Sequence, residues 1–237
     1  DDNGDRIYSK TVRPSVQETV ETFEARAIDN SYVATYFPDM IFADDTNNTA
    51  VSLPASIAAL TALGYNDSVA YPWFAPAGFN RGALTNVLNS EVRLNAGDRN
   101  ILYEAKINPI ANFPNGGFVI FGQKTLQQDR SALDRVNVRR MLLEVKRIVS
   151  DIANHLIFEQ NTPQTRARFV AQVTPQLATI QTQQGIDQFK IVMDTSNNSS
   201  EDIEQNRLNG RIVLVPTRAV EFIAVDFIIT NSGVSFE

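Results

Sequence analysis

No group of residues in this sequence supplies a recognisable nucleophile, general base and oxyanion donor together. The 237 residues include no cysteine and one histidine, His155. A Ser-His-Asp arrangement would have to use His155, which comes late in a predicted long helix and has no G-x-S-x-G turn to accompany it. Because one imidazole cannot build a multi-histidine metal site, we expect neither catalysis nor histidine-bound metal.

Carboxylates gather in two places, and carboxylate oxygens are the ligands that hard cations prefer. The clusters are Asp39, Asp44 and Asp45, and Asp194, Glu201 and Asp202. Asp44 and Asp45 of the first cluster begin the stretch DDTNNT, which lacks EF-hand spacing. The second lies in MDTSNNSSEDIE, where Asn and Ser are typical of turns that satisfy their own backbone. We expect no metal and no cofactor, and a metal-binding or hydrolytic α/β domain remains the competing hypothesis.

A basic amphipathic segment, VNVRRMLLEVKRIV at 136–149, raises the question of an acidic partner. Its apolar residues recur at helical spacing and predict a core-facing helix. Arg135, Arg139 and Lys146 are spaced by four and seven residues, so they lie near one line along that helix. This stripe would suit docking to an acidic protein surface, or it would simply face water.

The overall charge argues against nucleic acid as the partner. The formal net charge is −6, and the first 50 residues hold ten acidic and four basic residues. A nucleic-acid-binding domain is expected to show a basic footprint. No apolar run reaches the roughly 18 residues of a membrane span, so we expect neither nucleic-acid binding nor membrane insertion.

Periodicity and punctuation predict an α/β (α+β) fold with a mixed central sheet flanked by helices. The predicted helices lie at 14–29, 52–64, in the second half of 88–107, at 131–159 as the longest, and at 162–172 and 174–185 as two helices divided by Pro175. The predicted strands lie at 32–44 with an interruption at Pro38, and at 116–126, 189–195, 211–217 and 218–230.

The last strand is apolar on both faces, which is typical of a strand buried within a sheet. Phe222, Ile223, Val225, Phe227 and Ile229 are its candidate packing residues. Because it lies almost at the end of the sequence, it either completes its own sheet or joins the sheet of a neighbour.

Three ordered stretches together resemble the contractile tail sheath family of phages and related particles. They are LPASIAALTALGYNDSVAYPWFAPAG at 53–78, INPIANFPNGGFVIFGQKTL with LDRVNVRRMLLEVKRIV within 107–149, and FEQNTPQTRARF at 158–169 with MDTSNNSSEDIEQNRLNGRIVLVPTRAVEFI at 193–223. The motif residues that carry the resemblance are Trp73, Asn137, Arg139, Arg140, Glu159, Asn161 and Asp194.

The resemblance implies a structural subunit without catalytic residues. Such subunits polymerise around a tail tube and contract to drive the tube through a host envelope during genome ejection. The implied partners are further copies of the subunit, the tail tube protein, and baseplate and tail terminator proteins. The implied location is the virion, with assembly in the host bacterial cytoplasm. The sheath of a phage-like bacteriocin or secretion particle is the alternative.

The resemblance also suggests roles for particular parts of this chain. We expect one sheath C-terminal domain over 1–237, with an acidic lead-in and helix at 1–30, a terminal arm at 218–237, and the family's N-terminal arm and first part missing. The candidate residues for docking on the tube are Arg135, Arg139 and Lys146, followed by Arg166 and Arg168. The terminal strand is expected to enter a sheet shared between subunits.

Overall fold

The computed structural model describes residues 15–44 and 46–224, which form six α-helices and eight strands. The helices are α1 (Val16–Glu24), α2 (Ala55–Val69), α3 (Ala96–Glu104), α4 (Val136–Asn154), α5 (Pro163–Thr182) and α6 (Ser200–Glu204). The strands are β1 (Thr35–Phe37), β2 (Met40–Asp44), β3 (Thr49–Leu53), β4 (Val87–Ser90), β5 (Ile107–Phe113), β6 (Gly117–Ile120), β7 (Ile186–Val192) and β8 (Arg211–Pro216).

The strands form three small sheets. The orders are β1-β5-β6, β3-β2-β4 and β7-β8. Only the first sheet is mixed, because β1 pairs parallel to β5 while β6 pairs antiparallel to it. The predicted α+β class and mixed pairing are therefore confirmed, whereas the expectation of one central sheet is wrong. One reason that there is no single sheet is the break at Pro38, which separates β1 from β2, and these two strands belong to different sheets.

The helix predicted at 52–64 has different ends. Ser52 lies in β3, and α2 begins at Ala55, whose backbone N–H donates to the Asp39 carboxylate over 3.1 Å. Gly64 does not end the helix, which continues to Val69. A helical glycine costs only about 1 kcal/mol, and burial of the helix face that contains Ala58 outweighs that cost.

The pair of helices predicted around Pro175 is one continuous helix, α5, and that prediction is wrong. Pro175 and Ala171 both lie on the exposed side, so the Ala171 carbonyl that loses its helical donor faces solvent. The opposite side carries a buried apolar stripe at helical spacing. Its members are Phe169, Val173, Leu177 and Ile180. Burying four large side chains outweighs the roughly 3 kcal/mol that an interior proline costs.

The helix predicted at 131–159 divides into a short 3₁₀ turn, Ala132–Asp134, and α4. Ser131 caps the turn, because its side chain accepts from the Leu133 N–H. At 19 residues, α4 is slightly shorter than α5 with 20, so the predicted longest helix is the second longest among the described residues.

The main core lies between α4, α5 and the β7-β8 hairpin, and Trp73 from the loop after α2 enters it. The Trp73 indole N–H donates to the Gln183 carbonyl over 2.9 Å, and its ring stacks on Tyr71 at 4.9 Å. The buried amide of Asn137 donates to the Trp73 carbonyl over 3.3 Å. Trp73 and Asn137 therefore connect the loop after α2 to α4 and to the end of α5.

Candidate functional site

The predicted basic stripe does not form one exposed surface. Arg135 lies just before α4 and forms an ion pair with Glu221. Arg139 is buried, with its guanidinium 4.0 Å from the centre of the Tyr32 ring and a hydrogen bond to the Ser31 hydroxyl. Lys146 is exposed on α4. A role of these residues in docking on a tube stays a prediction, and Lys146 is the one of the three with an exposed side chain.

The second pair of predicted docking residues, Arg166 and Arg168, also consists of one buried and one partly exposed side chain. Arg166 is buried in the first turn of α5, where two of its nitrogens donate to Asn161 Oδ1 over 3.1 and 3.0 Å. Arg168 is about half exposed and forms an ion pair of 3.0 Å with Glu159. Asn161 also donates to the Arg207 carbonyl over 2.9 Å. The motif residues Glu159 and Asn161 thus stabilise the entry into α5.

Arg140, the other motif arginine of α4, reaches back to the second helix. One of its terminal nitrogens lies 2.6 Å from each carboxylate oxygen of Asp67 in α2. This ion pair links α2 to α4 at a distance in sequence of 73 residues. Among the motif residues, Arg139 and Arg140 therefore make specific contacts within the subunit.

The acidic loops are organised by backbone capping. Asp44 accepts hydrogen bonds from the N–H of Thr46 and from both the backbone and the side chain of Asn47. Asp194 accepts from the Ser196 N–H, and these hydrogen bonds hold the pKa of each aspartate below its ordinary value. Within the described ranges no group of three or more potential ligands could hold a metal ion.

Two asparagines close the loop between β7 and β8. The Asn198 amide is buried and donates toward the carbonyls of Asp194 and Asn209. Asn197 donates to the Val192 carbonyl over 3.0 Å and to the Asn209 carbonyl over 2.9 Å. The polar composition of this loop is therefore explained by contacts that join the two ends of the β7-β8 hairpin.

A polar site that the sequence did not reveal surrounds the carboxylate of Glu221. Arg135 donates to it through Nε over 2.7 Å and through a terminal nitrogen over 3.0 Å. The Tyr103 hydroxyl donates over 2.8 Å and the Gln123 amide over 3.2 Å. We call these three donor residues the Glu221 socket. A charged residue within the apolar run AVEFIAV is the sequence signal that could have pointed to such a partner set.

The electrostatics of the socket favour the ionised carboxylate. Burial acts to raise the pKa of Glu221, but the hydrogen bonds from Arg135 and Tyr103 outweigh it and hold that pKa below its ordinary value. Burial and the neighbouring Glu221 charge raise the pKa of the Tyr103 hydroxyl. Burial, with the nearby Arg135 charge, lowers the pKa of Lys124, whose ammonium group lies 4.0 Å from the centre of the Tyr103 ring.

The segment that carries Glu221 is not a strand where the structure describes it. Residues 217–224 form no regular element after β8, so the described part of the predicted strand does not complete a sheet of its own, and its pairing with a neighbouring subunit stays a prediction. Phe222 and Ile223 are 82% and 80% exposed. Val225, Phe227 and Ile229 lie outside the described residues. A strand requires a partner edge, and none is paired with 218–224 here.

Two further expectations concern chemistry and membranes. His155 occupies the exposed C-terminal cap of α4. Among the described helices, none is both long enough and apolar enough to span a bilayer.

Comparison with known proteins identifies the family. The model of the phage tail sheath protein central domain matches residues 10–126, and that of the phage tail sheath C-terminal domain matches residues 128–230. The tail sheath protein of Vibrio phage KVP40 is 38% identical over 80% of this chain, and that of Enterobacteria phage T4 is 32% identical over 80%. The chain spans 28% of the length of each of these two relatives.

Solved structures share the fold at lower identity. The sheath complex of an extracellular contractile injection system, PVC, in its contracted state has a TM-score of 0.80 at 23% identity, and the match covers 92% of this chain and 61% of that one. The contracted helical sheath of the anti-feeding prophage has a TM-score of 0.74 at 21% identity, with coverage of 91% and 68%. With both domain models matched and relatives above 30% identity, this chain belongs to the contractile phage tail sheath family.

Proposed function

We propose that this chain is part of a sheath subunit that polymerises around a phage tail tube and contracts to drive the tube through a host envelope. One observation supports the proposal. In this chain of the sheath family, Phe222 and Ile223 in the segment after β8 are exposed, and no described strand pairs with that segment. Contraction of this kind needs no catalytic site, since energy is stored as a difference in contacts between two packings of the subunits.

The β7-β8 hairpin is our candidate acceptor for a strand from a neighbouring subunit. It is a two-stranded sheet, so each strand has one edge without a partner strand among the described residues. In β8, Val213 and Val215 remain 50% and 44% exposed. A strand added to an open edge gains backbone hydrogen bonds and can pack on such side chains. Linkage of this kind would persist when subunits rotate relative to one another.

The test of the shared sheet uses the full-length protein expressed with its tube protein and imaged by electron microscopy. The wild type should form striated hollow cylinders. The double change Phe222→Asp with Ile223→Asp should prevent them while leaving the subunit folded. Leu88→Asp is the matched control, because Leu88 is 59% exposed and lies in β4, away from the C-terminal segment. Cylinders of normal yield from the double variant would refute the shared sheet.

Deletion of residues 218–237 offers a second form of the same test. This truncation removes the whole terminal arm, so it should abolish cylinders while the soluble subunit keeps its far-UV circular dichroism. Normal polymers from the truncated protein would contradict a role of the arm in assembly.

Docking on the tube is assigned to Lys146 and Arg168 first. Charge reversal at Lys146 disrupts no ion pair among the described residues, and at Arg168 it disrupts one half-exposed pair with Glu159. Changes at Arg135, Arg139 or Arg166 would instead remove contacts of less exposed side chains within the subunit. Each exposed charge pair contributes only about 0–1 kcal/mol, so many copies would be needed to hold an extended sheath. Lys146→Glu with Arg168→Glu should weaken assembly of extended sheaths on tubes, and Arg26→Glu should not.

The sheath of a phage-like bacteriocin or secretion particle is the second candidate, because the structural matches include contractile injection systems. The curated phage relatives are more similar in sequence, at 38% and 32% identity, and favour a phage. Particles purified from the producing cells would decide this question. A DNA-filled capsid on the tail supports a phage, and tails without a capsid support the alternative.

A further inference from the structure

The segment after β8 shows burial that is the reverse of the usual pattern. Among the described residues 218–224, Glu221 is the one residue that is not exposed, and its side chain is 15% exposed. Its apolar neighbours Val220, Phe222 and Ile223 are 79%, 82% and 80% exposed. Apolar residues are normally the ones that hold a segment onto a protein surface. Here the carboxylate makes the specific contacts, and the apolar side chains are left outside.

The Glu221 socket is held in place by contacts that do not involve Glu221. The Val136 N–H donates to the Gln123 carbonyl over 2.8 Å, which fixes the chain after β6 against the start of α4. The Lys124 ammonium group donates to the Tyr103 carbonyl over 2.6 Å and so fixes the end of α3 to the same place. The socket is therefore preorganised, and preorganised donors bind a carboxylate at a lower entropic cost.

The geometry of the pair is specific for a carboxylate. Arg135 donates to the two oxygens of Glu221 through two nitrogens, an arrangement that restricts orientation as well as distance. Tyr103 and Gln123 each add one donor, so both oxygens have two donors. Such a site fixes the position of residue 221 while leaving the flanking backbone free of sheet hydrogen bonds.

We propose that Glu221 is a positioning residue that anchors the C-terminal segment to the body of its own subunit and directs its exposed apolar residues toward a second copy of this chain. The anchoring is a property of the single subunit. The direction toward a second copy rests on the proposed function, because it concerns the strand that would be shared between subunits.

The anchoring can be measured with a spin label, because these 237 residues contain no cysteine that would compete for it. A nitroxide attached through Ala224→Cys, at an exposed described residue, reports the motion of the segment by electron paramagnetic resonance. We expect an immobilised spectral component with Glu221 present and its loss in Glu221→Ala. Glu221→Gln and Tyr103→Phe should give intermediate spectra, because each leaves part of the hydrogen bonding in place.

Glu204→Ala, at an exposed residue of α6, is the matched control and should leave the spectrum unchanged. Arg135→Ala should release the label as Glu221→Ala does, and the double variant should be no more mobile than either single variant, since both act on one contact. Equal spectra for the wild type and Glu221→Ala would overturn the anchoring. Circular dichroism checks that each variant is folded, and Tyr103→Phe supplies the test if Glu221→Ala is not.

The effect on assembly is tested in the full-length protein with its tube. If the wild type forms no cylinders, the proposed function fails, whatever the spectra show. If the wild type assembles and Glu221→Ala assembles to the same yield and order, the directing role of Glu221 fails while the proposed function stands. We expect Glu221→Ala to give fewer and less regular cylinders, and Glu204→Ala to match the wild type.

Discussion

Replacement of Asn198 by aspartate tests whether the loop between β7 and β8 is held by the amide of one buried side chain. Asn198 is 3% exposed, and its nitrogen lies 2.9 Å from the Asn209 carbonyl and 3.1 Å from that of Asp194. Its oxygen accepts from the Asn209 N–H over 2.7 Å. Asn198→Asp conserves shape and keeps the acceptor, but it replaces the donor by an oxygen that faces two carbonyl oxygens and the side-chain oxygen of Asn197, which lies 3.1 Å from the amide nitrogen.

The expected loss of stability follows from these contacts. The hydrogen bonds of the two amide hydrogens are removed at about 1 kcal/mol for each hydrogen, and a buried charge then faces acceptors instead of donors. Together these effects should lower the free energy of unfolding by about 3 kcal/mol at pH 8. For a chain of this size, 1 kcal/mol corresponds to roughly 2–4 °C in Tm. The melting temperature should therefore fall by about 6–12 °C.

The loss should depend on pH in a definite direction. Burial and the facing carbonyls raise the pKa of the introduced carboxyl in the folded state above its unfolded value of about 3.9. A group with a raised folded pKa contributes its stability below the unfolded pKa and loses it as the pH rises through the folded pKa. The variant should therefore be closer to the wild type at pH 4 than at pH 8.

Urea unfolding at both pH values provides the assay, with emission of the buried Trp73 as the signal. Trp73 and the loop residue Met193 belong to the same core cluster, so the indole reports on this region. Asn206→Asp, at an exposed residue of the same connection, makes the same chemical change and should alter stability by less than about 0.5 kcal/mol. A deficit below about 1 kcal/mol for Asn198→Asp at pH 8, or one that does not shrink at pH 4, would refute the reasoning.

Two further predictions concern α5 and the socket. Pro175→Ala should raise the free energy of unfolding by about 1–3 kcal/mol, because the new N–H can donate to the exposed Ala171 carbonyl; a lower Tm in calorimetry would contradict this. Burial acts to raise the pKa of Glu221, but hydrogen bonds from Arg135 and Tyr103 outweigh it and hold that pKa below its ordinary value of about 4.3. The ion pair of Glu221 therefore stabilises the fold above this ordinary pKa, and the stabilisation is lost as the pH falls through the lower pKa of the folded state. The stability difference between the wild type and Glu221→Gln, about 1–2 kcal/mol at pH 7, should therefore shrink below pH 4 in urea titrations. A difference that stays constant would show that the charge of Glu221 is not responsible.

Local sequence patterns predicted the elements in which hydrophobic periodicity and the positions of proline and capping residues indicate the same structure. The helical periodicity of 136–149 predicted α4, and its apolar side packs in the main core as expected. The interruption predicted at Pro38 in the extended region 32–44 is confirmed, since Pro38 lies between β1 and β2. The ordered motifs indicated the family before any fold was known, and two of their residues, Trp73 and Asn137, contact each other in the folded chain.

Other local signals were outweighed by packing. A proline in a helical pattern predicts a break, yet α5 runs through Pro175 because the buried stripe on its other side continues across that position. A serine before a proline predicts a helix cap, yet Ser52 lies in β3, which pairs with β2. Strand pairing and burial are long-range effects, so the residues within one local window cannot decide between these outcomes.

The roles of the basic residues depended most on the tertiary structure. The sequence by itself determined the family, the absence of cysteine chemistry, and a line of Arg135, Arg139 and Lys146 on or beside one helix. It could not determine that Glu221, 86 residues after Arg135, would turn that arginine toward the body of the subunit. The sequence alone does not distinguish an arginine that faces water from one that forms an ion pair with a buried carboxylate. Only the folded chain decides which partner lies near the guanidinium group. The energy of an ion pair depends on the distance between the two charges in space, and separation along the sequence does not give that distance.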